Sequence, residues 1–189
     1  MKKFFCDNNR TLCNWVDAYG SLLGKKPFTI DGLVAEMGFK SPSNFYHYFI
    51  DTDDFICHAY YCAIMRSNAA ARPYLDEPME AFFYRLNTDP KFVRLLKIVQ
   101  QTLDTFYFRY PRNKYHRELH SQSKPTGIVY LEHNYPDAKP QNIVKVHDAM
   151  VGYYLLKIKN VRGDAKMKRL LTDVCDIGLA LIERHSIGL

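Results

Sequence analysis

The sequence predicts an all-α protein, with three N-terminal helices arranged as a helix-turn-helix unit and longer helices after them. Three observations predict it. Apolar residues recur at helical spacing along most of the chain. No run alternates apolar and polar residues between Asn-Gly or Asp-Gly turns, so strand signals are sparse. Glycine and proline fall where helices would end or restart.

The first helix is carried by Leu12, Trp15, Val16, Tyr19, Leu22 and Leu23, one stripe of a helix that Gly24 and Pro27 close. Thr29 then suits an N-cap, with Asp31 in the first turn, where the helix dipole favours an anion. Ile30, Leu33, Val34 and Met37 form that second helix's buried face, and Gly38 ends it in a left-handed conformation. Ser41 caps a third helix with Pro42 at its first position, and Phe45 and Phe49 are its buried edge. Thr52 caps a fourth helix that runs to about Ala71, before Pro73.

Beyond Pro78 the pattern predicts a short helix, Met79–Leu86, and a longer one, Pro90–Tyr110, ended by Pro111. Residues 112–122 suit a further polar helix, and the prolines of 123–141 suggest an extended connection. Two last helices, Gln141–Lys159 and Ala165–Arg184, carry broad apolar stripes.

Composition narrows the class. At 47% hydrophobic and 14% aromatic residues, the 189-residue chain can bury a core. The formal charge is +6, which suits an acidic partner without proving one. Its distribution matters more: residues 1–50 carry six Lys/Arg against four Asp/Glu, and residues 51–76 carry two against four. A nucleic-acid site in the N-terminal part must therefore rest on placement, not on a charge run. The five cysteines, Cys6, Cys13, Cys57, Cys62 and Cys175, form no C-x-x-C pair and read as reduced, mostly buried thiols. Met-Lys-Lys at the start has no apolar run behind it, and no segment has membrane-span length, so a cytoplasmic protein with no membrane partner is expected.

Glu36-Met37-Gly38-Phe39-Lys40 supplies the tight turn of a helix-turn-helix. In that motif the third helix enters the major groove. With Phe45 and Phe49 turned inward, Ser43, Asn44, His47 and Tyr48 would face outward. Tyr46 would lie on the flank, where its hydroxyl can meet a phosphate. The alternative is that these rings pack against neighbouring helices.

Thr29 through Phe55 resembles the DNA-binding signature of the TetR-like (tetracycline-repressor-like) transcriptional regulators. The matching residues are Thr29, Leu33-Val34, Gly38, Ser41-Pro42-Ser43, Phe45-Tyr46-His47-Tyr48-Phe49 and Asp53-Asp54-Phe55. With the first helix, the resemblance covers about residues 8–56. It implies a DNA-binding domain over 1–51 and a helical ligand-sensing and dimerisation domain over 52–189. It also implies a homodimer on a palindromic double-stranded operator, most simply a repressor, released by a small-molecule effector and needing no cofactor. The DNA-binding residues so implied are Thr29, Lys40, Ser41, Ser43, Asn44, Tyr46, His47, Tyr48 and Thr52. The chain departs from the family pattern at Tyr48, where histidine is usual, and at Thr52, where a phosphate-contacting lysine is common. A helical interaction protein that has lost operator binding is the alternative.

In the C-terminal half, aromatics concentrate at Phe82, Phe83, Phe106, Tyr107 and Tyr110, as a ligand pocket between helices would require. An ordinary aromatic core is the alternative. Met150, Tyr153, Tyr154, Leu170, Leu171, Val174 and Leu181 are candidate dimer-interface residues, because two such stripes with their copies make a four-helix contact. His116 and His120 are spaced i, i+4, but no third ligand is fixed, so no metal site is expected. G-x-S-x-G, P-loop and G-x-G-x-x-G patterns are missing, and no enzymatic activity is expected.

Overall fold

The computed structural model describes residues 10–25, 28–108 and 123–187. Among these residues the secondary structure is helical and contains no strand, in keeping with the all-α expectation. The helices are α1 Arg10–Leu22, α2 Ile30–Glu36, α3 Ser43–Tyr46, α4 Thr52–Ala71, α5 Met79–Thr88, α6 Pro90–Phe108, α7 Thr126–Asn134, α8 Pro140–Ile158 and α9 Asp164–Ile187. A 3-10 turn, Arg72–Tyr74, follows α4. The chain divides into two compact units. One spans Met1–Ala69 with Pro90–Ser123, and the other Ala70–Asp89 with Lys124–Leu189.

The first unit is built on aromatic rings. Trp15 of α1 is fully buried, with ring centroids of Phe39, Phe45, Tyr48 and Phe49 between 5.6 and 6.2 Å from its own. Phe55 of α4 is the second hub, 5.4 Å from Tyr19, 5.7 Å from Phe45 and 4.9 Å from Phe49. These separations lie in the range favourable for aromatic pairs. The indole N–H of Trp15 is buried without a hydrogen-bond partner. That costs about 1–3 kcal/mol, which the packing around the ring must offset. Gly20 lets α6 approach α1, since a Cβ there would lie 3.1 Å from Ile98 Cδ1. Arg66 of α4 also pairs with Asp17 of α1 at 3.0 Å.

From α2 to the start of α4 the helix ends follow the sequence, with one-residue shifts at two N-termini. Thr29 caps α2 as expected, its hydroxyl accepting the Gly32 N–H at 3.1 Å. Gly38 ends α2 at φ +76°, and the bonds Phe39 N–H to Val34 O and Gly38 N–H to Ala35 O close a Schellman turn. The N-terminus of α3 lies one residue later than expected: Pro42 is its N-cap, and the Ser41 hydroxyl accepts the Ser43 N–H at 3.3 Å. At α4 the cap moves one residue earlier, from Thr52 to Asp51, whose carboxylate accepts the Asp54 N–H at 2.8 Å. A carboxylate at this point also favours the positive end of the helix dipole.

The second unit centres on the α8–α9 pair, with α5 and α7 packed on it. Its buried residues include Phe82, Leu131, Ile143, Met150 and Leu171. Phe82 stacks on Tyr130 at 4.2 Å, and the Tyr130 hydroxyl donates to the Glu77 carbonyl at 2.7 Å. At Gly178 of α9 a Cβ would stand 2.7 Å from Met150 Sδ, so the missing side chain sets how closely α8 approaches.

Helix α7 corrects the expected extended connection over 123–141. Pro125 precedes its first turn, where a proline is compatible with a helix start, and Thr126, Gly127, Ile128, Tyr130 and Leu131 are buried. Nearly all-round burial removes the one-sided periodicity that would have announced a helix.

The expectation of reduced cysteines is corrected at one position. Cys13, Cys57 and Cys175 are free, but Cys62 is disulfide-bonded. Bridging depends on proximity in space, for which sequence spacing gives no signal here. Cys6 lies outside the described residues, as do Tyr110, His116, His120 and the expected helix over 112–122. Burial pushes the Cys57 and Cys175 thiols up to about 12, so neither is a thiolate near neutrality.

His147 ties pH to the stability of this second unit. Its ring lies against the bare Cα of Gly127, where a Cβ would be 2.9 Å from His147 Cδ2. Burial lowers the imidazole pKa below 6.5, against an opposing pull from Asp148. The fold therefore holds the neutral ring. Its contribution is whole above the unfolded value of 6.5 and declines as pH falls below it. Thermal melts between neutral pH and mildly acidic pH should show a falling midpoint, and His147→Gln should flatten that fall. An unchanged pH profile in the variant would remove His147 as its source.

Candidate nucleic-acid interface

Helix α3 is four residues long, far below the length at which an isolated helix is stable in water. It persists because Phe45 is fully buried and Phe49 nearly so, and because backbone bonds extend the helical turn from Ser41 to Phe49. The inward ring at Phe45 fixes what the next residues do. Tyr46 is 54% exposed, and His47 and Ser43 are exposed beside it. The Tyr46 ring meets Phe45 edge-on at 5.3 Å, so its base is supported while its hydroxyl is free to reach solvent.

The other sequence-predicted residues divide. Lys40 and Thr29 are exposed, while Ser41 and Thr52 are half-buried. Asn44 is half-buried and its Nδ2 donates to the Ser41 carbonyl at 3.3 Å, so part of its amide already serves the turn. Tyr48 does not stand outward with Tyr46 and His47. It is half-buried and joins the Trp15 cluster at 6.2 Å, with the His47 ring edge-on at 5.1 Å. Three successive side chains on one helix point in three directions, and Tyr48 is the one that turns back to the core.

One exposed residue escaped the sequence reading. Ile50 is 78% exposed between α3 and α4, and its N–H is held by the Asp54 carboxylate at 3.0 Å. Its exposure follows from the chain leaving the helix there, which no periodicity signals.

The resulting surface offers hydroxyl, imidazole and phenol groups with very little positive charge. Over residues 28–55 Lys40 is the one cation, against Asp31, Glu36, Asp51, Asp53 and Asp54. Asp54 is buried, and His58 Nδ1 lies 2.8 Å from the Asp54 backbone carbonyl, which assigns the ring proton to Nδ1.

Of the candidate pocket residues, Phe82 is core and Phe83 is half-buried, 5.8 Å from Tyr130. Phe106 and Tyr107 belong to α6, but their side chains lie outside what the structure describes, as does Tyr110 altogether. Of the candidate dimer residues, Met150, Leu170, Leu171 and Val174 are buried within the second unit, and Tyr153, Tyr154 and Leu181 are half-buried. The Tyr154 hydroxyl donates to Asn87 at 2.8 Å. Among the described residues, the large exposed apolar side chains on α8 and α9 are Val144, Leu155, Leu156 and Leu179. Among the described residues no group of three or more His, Cys, Asp or Glu is placed to hold a metal ion. None of their helices is long and apolar enough to cross a membrane.

Comparison of the chain with protein-family models, with curated proteins and with solved structures gives no match.

The split between anchoring and exposed rings has a measurable consequence. Phe45→Ala should destabilise the fold by about 3–5 kcal/mol, because it removes a buried ring and unfastens α3. Tyr46→Ala, one residue on, should stay within about 0.5 kcal/mol. Urea denaturation of the two variants checks both values, and comparable losses would show that Tyr46 also anchors the helix.

Proposed function

We propose that the chain is a DNA-binding transcriptional regulator of TetR-like type, a repressor that acts as a homodimer in the cytoplasm and is released from a palindromic operator by a small-molecule effector. The observation that carries this reading is the α2–α3 pair. Its glycine-ended first helix is followed by a short helix fastened by Phe45 and Phe49, with Ser43, Tyr46 and His47 left exposed. In the proposed mechanism α1 to α3 form the helix-turn-helix domain, and α3 places these side chains in the major groove. Two copies present their helices about 34–36 Å apart, one turn of DNA. Val144, Leu155 and Leu179 give α8 and α9 an apolar outer face for the second copy. An effector bound by the helical regulatory domain favours a spacing that no longer fits, and the population leaves the DNA.

The charge pattern favours a second reading, a helical interaction protein with the same fold and no specific operator. One cation against five carboxylates over residues 28–55 provides few of the phosphate contacts on which DNA affinity commonly depends.

Fluorescence polarisation with duplexes from the DNA flanking the chain's own gene separates the two. A regulator should bind one duplex in preference to a scrambled one, and His47→Ala should cut that preference roughly tenfold while leaving the thermal midpoint intact. Affinity should fall only gently with salt, since few counterions are displaced. Equal, weak binding to every duplex would leave the interaction protein as the reading.

A further inference from the structure

Within the second unit, positive charge collects at the turn that joins α8 to α9. Over residues 157–169 the chain carries Lys157, Lys159, Arg162, Lys166, Lys168 and Arg169 against Asp164. Six cations less one carboxylate make +5, against +6 for the whole chain. All seven side chains are exposed.

The single carboxylate is already engaged. The Tyr84 hydroxyl donates to Asp164 at 2.6 Å, and Lys168 Nζ lies 3.3 Å from it. Lys157 lies over the Tyr153 ring at 5.7 Å, and Arg162 donates to the carbonyls of Lys159 and Val161, which fastens the turn. Among the described residues no carboxylate stands within ion-pair distance of Lys159, Lys166 or Arg169. Lys166 also lies in the first turn of α9, where the helix dipole disfavours a cation. Local interactions therefore give no reason for the charges of Lys166 and Arg169. Leu156, in the last turn of α8, is 76% exposed beside it.

We propose that this hairpin tip docks on the surface of bilayers that contain anionic phospholipid. Cations and an exposed leucine together match an interfacial contact: Leu156 enters the headgroup layer while the lysine stems lie along it and their ammonium groups meet phosphates. The contact is peripheral and spans nothing. A nucleic-acid backbone would use the cations but leave Leu156 against phosphate, and the nearest rings, Tyr84 and Tyr153, are half-buried rather than open to stacking. A folded acidic protein would have to match the tip with a rigid face of roughly 800 Å² on each side. A deformable bilayer can wrap such a tip. The inference is independent of the DNA reading, since it uses no residue of the first unit.

Vesicle sedimentation with the full chain tests it. The protein should pellet with vesicles of phosphatidylcholine mixed with phosphatidylglycerol, stay in solution with phosphatidylcholine alone, and be released by added salt. The Lys166→Glu/Arg169→Glu double variant should lose partitioning on the order of a hundredfold. Leu156→Ser should lose about fivefold. All three side chains are exposed, so thermal midpoints should match the parent and confirm folded variants. Absence of pelleting with the anionic vesicles would overturn the proposal, as would equal pelleting with both kinds or a charge-reversed variant that pellets like the parent. So would a Leu156→Ser variant that binds vesicles normally while an unrelated DNA duplex displaces the protein, because the tip would then be a nucleic-acid phosphate site.

Discussion

Everything presented by α3 depends on two aromatic hubs. A four-residue helix has almost no stability of its own, since nucleation fixes several dihedrals for each hydrogen bond gained. Trp15 on α1 and Phe55 on α4 both meet Phe45 and Phe49, so one short segment is gripped by two long helices. Loss of either hub would release α3 and the exposed Ser43, Tyr46 and His47 together. The unpartnered Trp15 N–H shows what that grip demands: a polar atom stays buried because the ring around it contributes more than the lost hydrogen bond costs.

Where one face of a helix is buried and the other wet, its residues announced it. The stripe of α1, the Thr29 cap and the left-handed Gly38 all read directly from sequence, because each is a local effect of known geometry. The failures share a physical cause. Helix α7 is buried almost all round and carries Gly127 near its start, so neither period nor propensity marked it. The Cys62 disulfide depends on proximity in space, which spacing does not encode. Asp51 and Thr52 are both good caps, and only the observed hydrogen bond decides between neighbours.

The candidate site was legible in part for the same reason. Helical arithmetic placed Phe45 and Phe49 inside and left Ser43 and His47 outside, as observed. It put Tyr48 outside as well, and there it failed, because the outcome turns on whether Trp15 leaves room for one more ring. The stripes of α8 and α9 have a different limit. Periodicity identifies an apolar face without saying what covers it. Met150, Leu170, Leu171 and Val174 are covered within their own unit. Val144, Leu155, Leu156 and Leu179, large apolar side chains that stand exposed, fall outside that inner stripe.

Charge placement constrains function more than total charge does. The segment around α3 is net acidic, while the α8–α9 turn carries six cations against one carboxylate. Under the proposed regulator reading, α3 must then recognise DNA through shape and neutral hydrogen bonds from Ser43, Tyr46 and His47. Counterion release, usually the larger part of affinity, would contribute little at this face. Such a face discriminates better than it adheres, because non-specific binding is carried almost wholly by phosphate attraction. A dimer suits that regime: two weak, selective contacts on one duplex add their free energies, and the second forms at the high effective concentration set by the first.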